Sequence, residues 1–292
     1  MRLDLTSLRN QLPDRQIHWF PSLDSTMTEA SRLAGAGCPS GTVVVADEQR
    51  AGQGRYGRAW YSEKEAGLYV SVVLRLTLPA DTLPVVTMAM ALAAAEAIAL
   101  TSELTPDLRW PNDVLLYCND DPGLHVGRSP RTAPGPLTRP SPASGPGCGS
   151  GEPPRTQGKK CAGVLAQLSG GAIVAGLGIN VNHAAFPEEI RHLATSLRMV
   201  SGRIESREQL LVNLLAAIDR FCTILVMSGK KAVLEAFSRS SSFLKGRRVT
   251  VDRGDSVLHG VTEGLDPSGF LILREDDGTR IIIVTGGVRE EG

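Results

Sequence analysis

A stretch of 41 residues, 118–158, does most to limit what this 292-residue chain can fold into. It holds nine of the chain's eighteen prolines and eight glycines, with no Phe, Tyr or Trp. Such a segment cannot bury enough apolar surface to offset the entropy of ordering it, so it is expected to be a disordered insertion. The sequence before it and after it must then form one fold with the two ends of the insertion close together, because a long surface loop adds little closure entropy. Its arginines, Arg128, Arg131, Arg139 and Arg155, are expected to sit in a solvated spacer, with an interaction tail as the alternative.

On either side of the insertion, strands and helices are mixed. DSTMTEASRLAGA, 24–36, reads as a helix capped by Asp24 or Ser25 and stopped by Gly35 and Gly37. TVVVADEQ, 42–49, and GLYVSVVLRLTL, 67–78, read as strands, and the Ala-rich 83–100 as a buried helix. RWPNDVLLY, 109–117, reads as a short strand that begins at its proline. Two apolar runs within 159–182, separated by Ser169, Gly170 and Gly171, predict a β-hairpin. Residues 206–239 carry a helical stripe of Leu210, Leu211, Leu214, Leu215 and Ile218, with a break expected at Ser228–Gly229. From 246 to 289 short β-rich runs alternate with Gly, Asp and Ser turns, the pattern of a small barrel.

Composition narrows the class. Thirty-one basic and thirty-one acidic residues cancel, so no global field draws the chain to nucleic acid or to an anionic membrane. Any anionic ligand must be met by local charges. Five cysteines, Cys38, Cys118, Cys148, Cys161 and Cys222, show neither paired spacing nor a Cys/His cluster, which argues against a disulfide framework or a zinc site and for a reducing compartment. No secretory or transit segment is recognisable at the N-terminus. No window approaches the roughly 18 uninterrupted apolar residues of a membrane span. A cytoplasmic protein without a metal site of its own is expected.

The loop AGQGRYGRAW, 51–60, places Gly52, Gly54 and Gly57 at G-x-G-x-x-G spacing. A dinucleotide fingerprint also needs a helix after the glycines and an acidic residue about 20 positions on. Here RAWYSEKEAG and another strand follow, and Ser71 to Leu78 contains no carboxylate. The G-K-[ST] ending of a phosphate-binding P-loop is missing as well. What remains is a flexible loop carrying two guanidinium groups, Arg55 and Arg58, and an indole, Trp60. Arginine suits planar contact with carboxylate or phosphate, so the loop suits an anion beside a flat ring.

In order along the chain, the strand 42–49, the glycine-arginine loop, R-W-P-N-D, K-K-C-A-G-V-L and G-L-G-I-N-V-N resemble a biotin protein ligase over residues 20 to 200. The C-terminal strands fit the same family. The resemblance implies an α+β fold related to the class II aminoacyl-tRNA synthetase/biotin synthetase-like core: a mixed, mostly antiparallel sheet with flanking helices, plus a small SH3-like β-barrel. It places a catalytic biotin/ATP-binding domain over 1–240, interrupted by the insertion 118–158, and the barrel over 241–292.

The activity implied is transfer in two steps. Biotin and MgATP form biotinyl-5′-AMP with release of pyrophosphate, and a lysine of a biotin carboxyl carrier domain then attacks the adenylate. The enzyme holds two anions together and stabilises the charge that builds on phosphorus. By match to the family, Arg55 steadies carboxylate and phosphate, and Lys160 bridges the reacting oxygens. Asp113 orients the incoming lysine and helps to deprotonate it. Ser25, Thr26 and Gln49 meet the biotin ring, while Arg58 contacts phosphate and Trp60 forms a flat wall. Gly52, Gln53, Gly54, Asn112 and Gly163 belong to the same ligand-binding set. Asn180 and Asn182, two apart on a strand, share a face near the nucleotide.

The expected ligands are ATP, biotin and Mg2+. No nucleic-acid or membrane partner is expected, and a homodimer stays open. Gln53 stands where many members have a second arginine, and Met27 where an asparagine is usual, so one positive charge and one polar group are lost. The catalytic motifs begin by residue 25, which leaves no room for the DNA-binding segment of bifunctional members, so no repressor role is expected. Lipoate ligase is the enzyme rival, with the same core chemistry but generally without this loop and R-W-P-N-D. A non-catalytic binding module built on the barrel is the other.

Overall fold

The computed structural model describes residues 3–117, 158–254 and 256–291. The insertion expected over 118–158, with its four arginines and with Cys118 and Cys148, lies outside them except for Gly158. Among the described residues Cys38, Cys161 and Cys222 are free thiols.

In chain order the elements are α1 (Leu5–Gln11), β1 (Ile17–Phe20), α2 (Thr26–Gly35), β2 (Val43–Ala46), β3 (Gly67–Leu74), α3 (Leu83–Ser102), β4 (Asp107–Arg109), β5 (Asp113–Leu116), β6 (Lys159–Ser169), β7 (Ala172–Asn180), α4 (Leu197–Ser201) and α5 (Arg207–Arg239). The strands β8 (Lys245–Asp252), β9 (Val257–Leu265), β10 (Leu271–Arg274), β11 (Arg280–Ile283) and β12 (Gly287–Glu290) follow. Seven strands form one sheet in the order β1-β2-β3-β7-β6-β5-β4, and five form a second in the order β11-β10-β9-β8-β12. Only β1 and β2 run parallel; the other pairs are antiparallel. The fold is therefore α+β with a mixed, mostly antiparallel sheet, as the motifs led us to expect.

Alternation of side chains divides the large sheet between two cores. Val43 and Val45 of β2, with Leu68, Val70 and Val72 of β3, face α3 and α5. Val44 and Val73 face the other way and pack with Met27, Ala30 and Ala34 of α2. Val249, Val251, Leu271, Leu273, Ile283 and Val288 of the small sheet join the α3/α5 core, so the apolar interior is continuous between the two sheets. Both α3 and α5 have the length and mean hydropathy of a membrane span, although neither is an uninterrupted apolar run. Their apolar residues are placed in this core, α3 on nearly every side.

Two features follow the sequence closely. The β6–β7 hairpin closes at Gly170 and Gly171, both left-handed (φ +55° and +67°), the geometry of a two-residue turn that glycine enters freely. At Gly170 a side chain would be expelled, because a Cβ would lie 2.5 Å from the backbone of Gly35. The expected break in α5 occurs at Gly229 (φ 75°, ψ 177°).

Two expectations are corrected. RWPNDVLLY is not one strand: β4 ends at Arg109, Trp110-Pro111-Asn112 makes a turn with a cis Trp110–Pro111 bond, and β5 begins at Asp113. Neither Asp24 nor Ser25 caps α2 with its side chain. The free N–H of Thr26 donates instead to Oε1 of Gln49 (2.8 Å), and Asp24 binds Arg50.

His183 is buried and stacked on Phe186 (centroids 4.9 Å apart). Burial, then the nearby charge of Arg207, lowers it to about 4 from the ordinary 6.5. The unfolded chain takes up a proton below about 6.5 while the native ring does so only below about 4. Stability is therefore expected to fall as the pH drops through that window, by up to about 3 kcal/mol, and then to level off. Urea melts from pH 7.5 to 4 on the parent and on His183→Phe check this: the variant should lose that component of the slope.

Candidate functional site

The glycine-arginine loop, the start of α2, the Trp110–Asn112 turn and the middle of β6 and β7 surround one cavity of about 320 Å³. Its floor is made by glycines. Gly163 of β6 and Gly178 of β7 are directly paired, and side chains there would fill the space. A Cβ on Gly163 would lie 2.9 Å from Lys160 Nζ, and one on Gly178 2.4 Å from Cε2 of Trp60. The bare floor lets an indole and an ammonium lie flat against the sheet, with Lys160 Nζ 5.3 Å from the Trp60 ring centroid.

At the polar end Asp113 stands between two cations. Its Oδ1 lies 2.5 Å from Lys160 Nζ and its Oδ2 accepts from Arg109 Nη2 at 2.7 Å. Burial raises the Asp113 carboxyl, but the charges of Lys160 and Arg109 and their hydrogen bonds outweigh it and hold the group at about 2. A carboxylate so firmly charged is a weak base. In this arrangement both carboxylate oxygens of Asp113 are engaged, one by Lys160 and one by Arg109. Register supports the pairing: β5 meets β6 with Asp113 opposite Gly163 and a bulge that places Leu115 opposite Lys160. The two ends of the insertion thus enter and leave on neighbouring strands, and Asp113 and Lys160 meet despite it.

Arg55 reaches the same cavity from the loop. Its Nη1 donates to Asn112 Oδ1 (3.3 Å) and to the Gly286 carbonyl (3.4 Å). Asn112 is itself fixed by Nδ2 donating to Val164 O at 2.8 Å and by Val164 N–H donating to its own carbonyl at 3.0 Å. Arg55 and Lys160, far apart in sequence, therefore point into one cavity.

The opposite end of the cavity is set for a neutral polar group. Gln49 Oε1 accepts from Thr26 N–H and from Thr26 Oγ1, and Ser71 Oγ donates to Thr26 Oγ1 (2.8 Å). With Gln49 taking over the cap of α2, the Ser25 hydroxyl is left buried without a partner, and so is the Trp60 indole N–H. Two buried polar groups so left are costly unless a ligand meets them. Met27 lines the same end, its Sδ lying where a Cβ on Gly176 would come within 2.5 Å. An apolar annex of about 200 Å³, between the start of α3, Trp110–Pro111 and Phe270, adjoins the cavity at Arg55.

The other residues named from the sequence divide. Gln53, Gly54 and Asn180 line the cavity. Gly52 is tightly packed: a Cβ there would lie 3.0 Å from Gln49 Nε2 and 3.1 Å from the Trp60 carbonyl. Of the three loop glycines only Gly57 has positive φ (+69°). Arg58 lines the cavity at its rim, with its guanidinium 3.5 Å from Asp252 of the small sheet. Asn182 is not at the site: its Oδ1 accepts from Glu205 N–H and its Nδ2 donates to the Glu205 carbonyl. Two contributions were missed. Arg109 is the first letter of R-W-P-N-D, but its partner Asp113 stands at i+4 on the far side of the turn between β4 and β5, which a strand expected to begin at Pro111 does not reveal. Residues 286–289 of the small sheet close one side of the cavity, and nothing in their composition marks them.

Comparison with known proteins agrees with this geometry. A profile of the Biotin/lipoate A/B protein ligase family matches residues 19–183, and one of the Biotin protein ligase C terminal domain matches 245–288. The chain is 28% identical to the biotin--[acetyl-CoA-carboxylase] ligase of Mycobacterium tuberculosis, over 98% of this chain and 94% of that protein. It is 25% identical to the bifunctional ligase/repressor BirA of Bacillus spizizenii, over 94% of this chain and 74% of that one. Among solved structures it is similar to the biotin protein ligase from Aquifex aeolicus in complex with biotin and ATP, with a TM-score of 0.71, 26% identity and coverage of 94% and 99% of the two chains. With more than half of its length matched, the chain belongs to the biotin/lipoate A/B protein ligase family, and its C-terminal match puts it among the biotin protein ligases.

Proposed function

We propose that this ligase biotinylates a specific lysine of a biotin carboxyl carrier domain by way of biotinyl-5′-AMP. The observation that carries the proposal is the convergence of Arg55 and Lys160 on one cavity whose other end holds the unpartnered Ser25 hydroxyl, with the Trp60 indole lying along the floor. An acid with a polar ring fits this polarity, its carboxylate toward the cations and its ring over the Trp60 floor toward Ser25. In the first step a carboxylate oxygen of biotin bonds to the α-phosphorus of ATP and pyrophosphate leaves. In the second the carrier lysine, as free amine, attacks the acyl carbon; AMP leaves and the amide forms with loss of a proton. Arg55 and Lys160 lower the repulsion between the two anions and the charge that builds on the phosphoryl oxygens, and Asp113 fixes Lys160. Mg2+ would enter with the nucleotide phosphates as part of the substrate. Among the described residues no cluster of three His, Cys, Asp or Glu side chains could hold a metal ion. The division into a catalytic part, 1–240, and a C-terminal part, 241–292, goes with this proposal.

The test is mass spectrometry of a purified acceptor domain after incubation with the protein, biotin and MgATP, set beside labelled lipoate. The expected result is the mass of one added biotin. Adenylate formed with lipoate alone would transfer the reading to lipoate ligation, and no pyrophosphate release with either acid would favour a binding module.

The glycine floor gives a second measurable outcome. Gly178→Ala puts a methyl where the Trp60 ring lies, and overpacking of this kind costs about 1–3 kcal/mol, so biotin affinity by calorimetry is expected to fall about ten- to a hundredfold. Circular dichroism should remain that of the parent, because alanine keeps the β7 ladder. Unchanged biotin affinity would remove the floor from the ring site.

A further inference from the structure

Tyr56, at the tip of the glycine-arginine loop, holds a left-handed backbone (φ +60°) that costs a bulky residue energy and persists where its surroundings require it. Its hydroxyl lies between two groups, accepting from Arg55 Nη2 at 2.9 Å and standing 2.5 Å from Thr285 Oγ1. A guanidinium can only donate and a phenol carries a single proton. The phenol oxygen thus accepts from Arg55 and shares a short hydrogen bond with the Thr285 hydroxyl, linking guanidinium, phenol and threonine in one chain. The Tyr56 ring also lies under the Arg55 guanidinium, 4.9 Å from centre to centre, and the Gly286 carbonyl, one residue beyond Thr285, accepts from Arg55 Nη1. Three of the groups that hold the Arg55 head are thus either Tyr56 itself or the turn before β12.

We propose that Tyr56 and Thr285 are a positioning pair that locks the guanidinium of Arg55 against the C-terminal sheet in the attitude used for adenylate formation. Neither residue touches the reacting atoms; the pair acts through Arg55, and the inference rests on the role proposed for Arg55 above. The loop needs such an anchor. Within itself it is tied by few backbone bonds, Gly54 N–H to Arg58 O and Trp60 N–H to Gly52 O among them. Among the described residues, the tip of the loop, 55–58, makes polar contacts with Asn112 and with the small sheet at Asp252, Thr285 and Gly286. The small sheet thereby acts on the first chemical step from outside the reacting centre.

The experiment is a double-mutant cycle on the full chain. Tyr56→Phe keeps the ring and removes the hydroxyl; Thr285→Val removes the other hydroxyl and Thr285→Ser restores it. Each of the first two is expected to lower kcat for MgATP- and biotin-dependent pyrophosphate release about fivefold with KM for biotin unchanged. The double variant should be no worse than either single one, and Thr285→Ser should return to within about twofold of the parent. Hydrogen exchange of the amides of 52–60 should speed up in both single variants, a readout that needs no turnover. If the parent releases no pyrophosphate, the proposed activity fails and exchange alone judges the pair. Equal exchange of 52–60 in the parent and Thr285→Val, or independent effects that multiply in the double variant, overturns it.

Discussion

Lys160→Ala is expected to lower the rate of adenylate formation by about a hundred- to a thousandfold, the usual loss when one preorganised donor to a developing oxyanion is removed. The size of the effect follows from how the ammonium is held. Its Nζ lies 2.5 Å from Asp113 and against the Trp60 ring, and the missing Cβ of Gly163 leaves the space it occupies. In the proposed reaction it would meet the phosphoryl oxygens already oriented, so that its stabilising effect needs no reorganisation during the step. Lys160→Arg should rescue little, because a planar fork cannot fill a slot shaped for a compact ammonium. Removing Lys160 also leaves Asp113 with Arg109 as its cation, so the carboxyl should titrate higher than in the parent. The measurement is pyrophosphate release with saturating MgATP and biotin, with a thermal melt to show that the variant is folded. A folded Lys160→Ala that turns over within threefold of the parent would remove Lys160 from the reaction.

Much of this site is legible in the sequence, and the parts that are not share a physical cause. Gly163 and Lys160 lie on one strand, and Asp113 begins the neighbouring one; short-range pattern and motif are enough to bring them together. Ser25, Thr26 and Gln49 were named for a ligand, yet what they do for the fold could not be read. The cap of α2 comes from Gln49, which local rules had given to Asp24 or Ser25, because a cap supplied from elsewhere in the chain leaves no trace near the helix start. Asn180 and Asn182 show the limit of alternation: the rule holds inside a strand, and β7 ends at Asn180, so Asn182 turns to Glu205. RWPNDVLLY reads as a strand from its proline on, whereas Pro111 and Asn112 lie in the turn between β4 and β5, and Trp110 reaches the small sheet, where Nε1 donates to the Gly269 carbonyl at 3.0 Å. The part played by residues 285–289 was hidden for the same reason. Their chemistry is ordinary, and their importance comes from packing between elements remote in sequence.

The largest stability loss is expected at Asp47→Ala, far below the chemistry but connected to it. Asp47 follows β2, and its carboxylate, 1% exposed, accepts from Arg207 Nη2 at 2.6 Å; Arg207 is 3% exposed and also donates Nε to the Gly67 carbonyl. Arg207 is the first residue of α5, where a positive charge opposes the helix dipole, so the carboxylate offsets both desolvation and dipole. Removing one partner of such a pair costs about 3–5 kcal/mol, whereas replacing both by apolar residues of similar volume is often close to neutral. Asp47→Ala should therefore melt roughly 10 °C below the parent, and Asp47→Leu combined with Arg207→Met should recover most of that loss. Activity should follow, since Gln49 lies two residues on, bridged to Leu23, and carries the cap of α2 on which the Ser25 and Thr26 end of the cavity depends. Thermal melts of the single and double variants, with biotin affinity measured on each at 25 °C, separate the two effects. An Asp47→Ala protein melting within 2 °C of the parent would mean that the buried pair contributes nothing net and that the path from β2 to Gln49 is held by its backbone bonds alone.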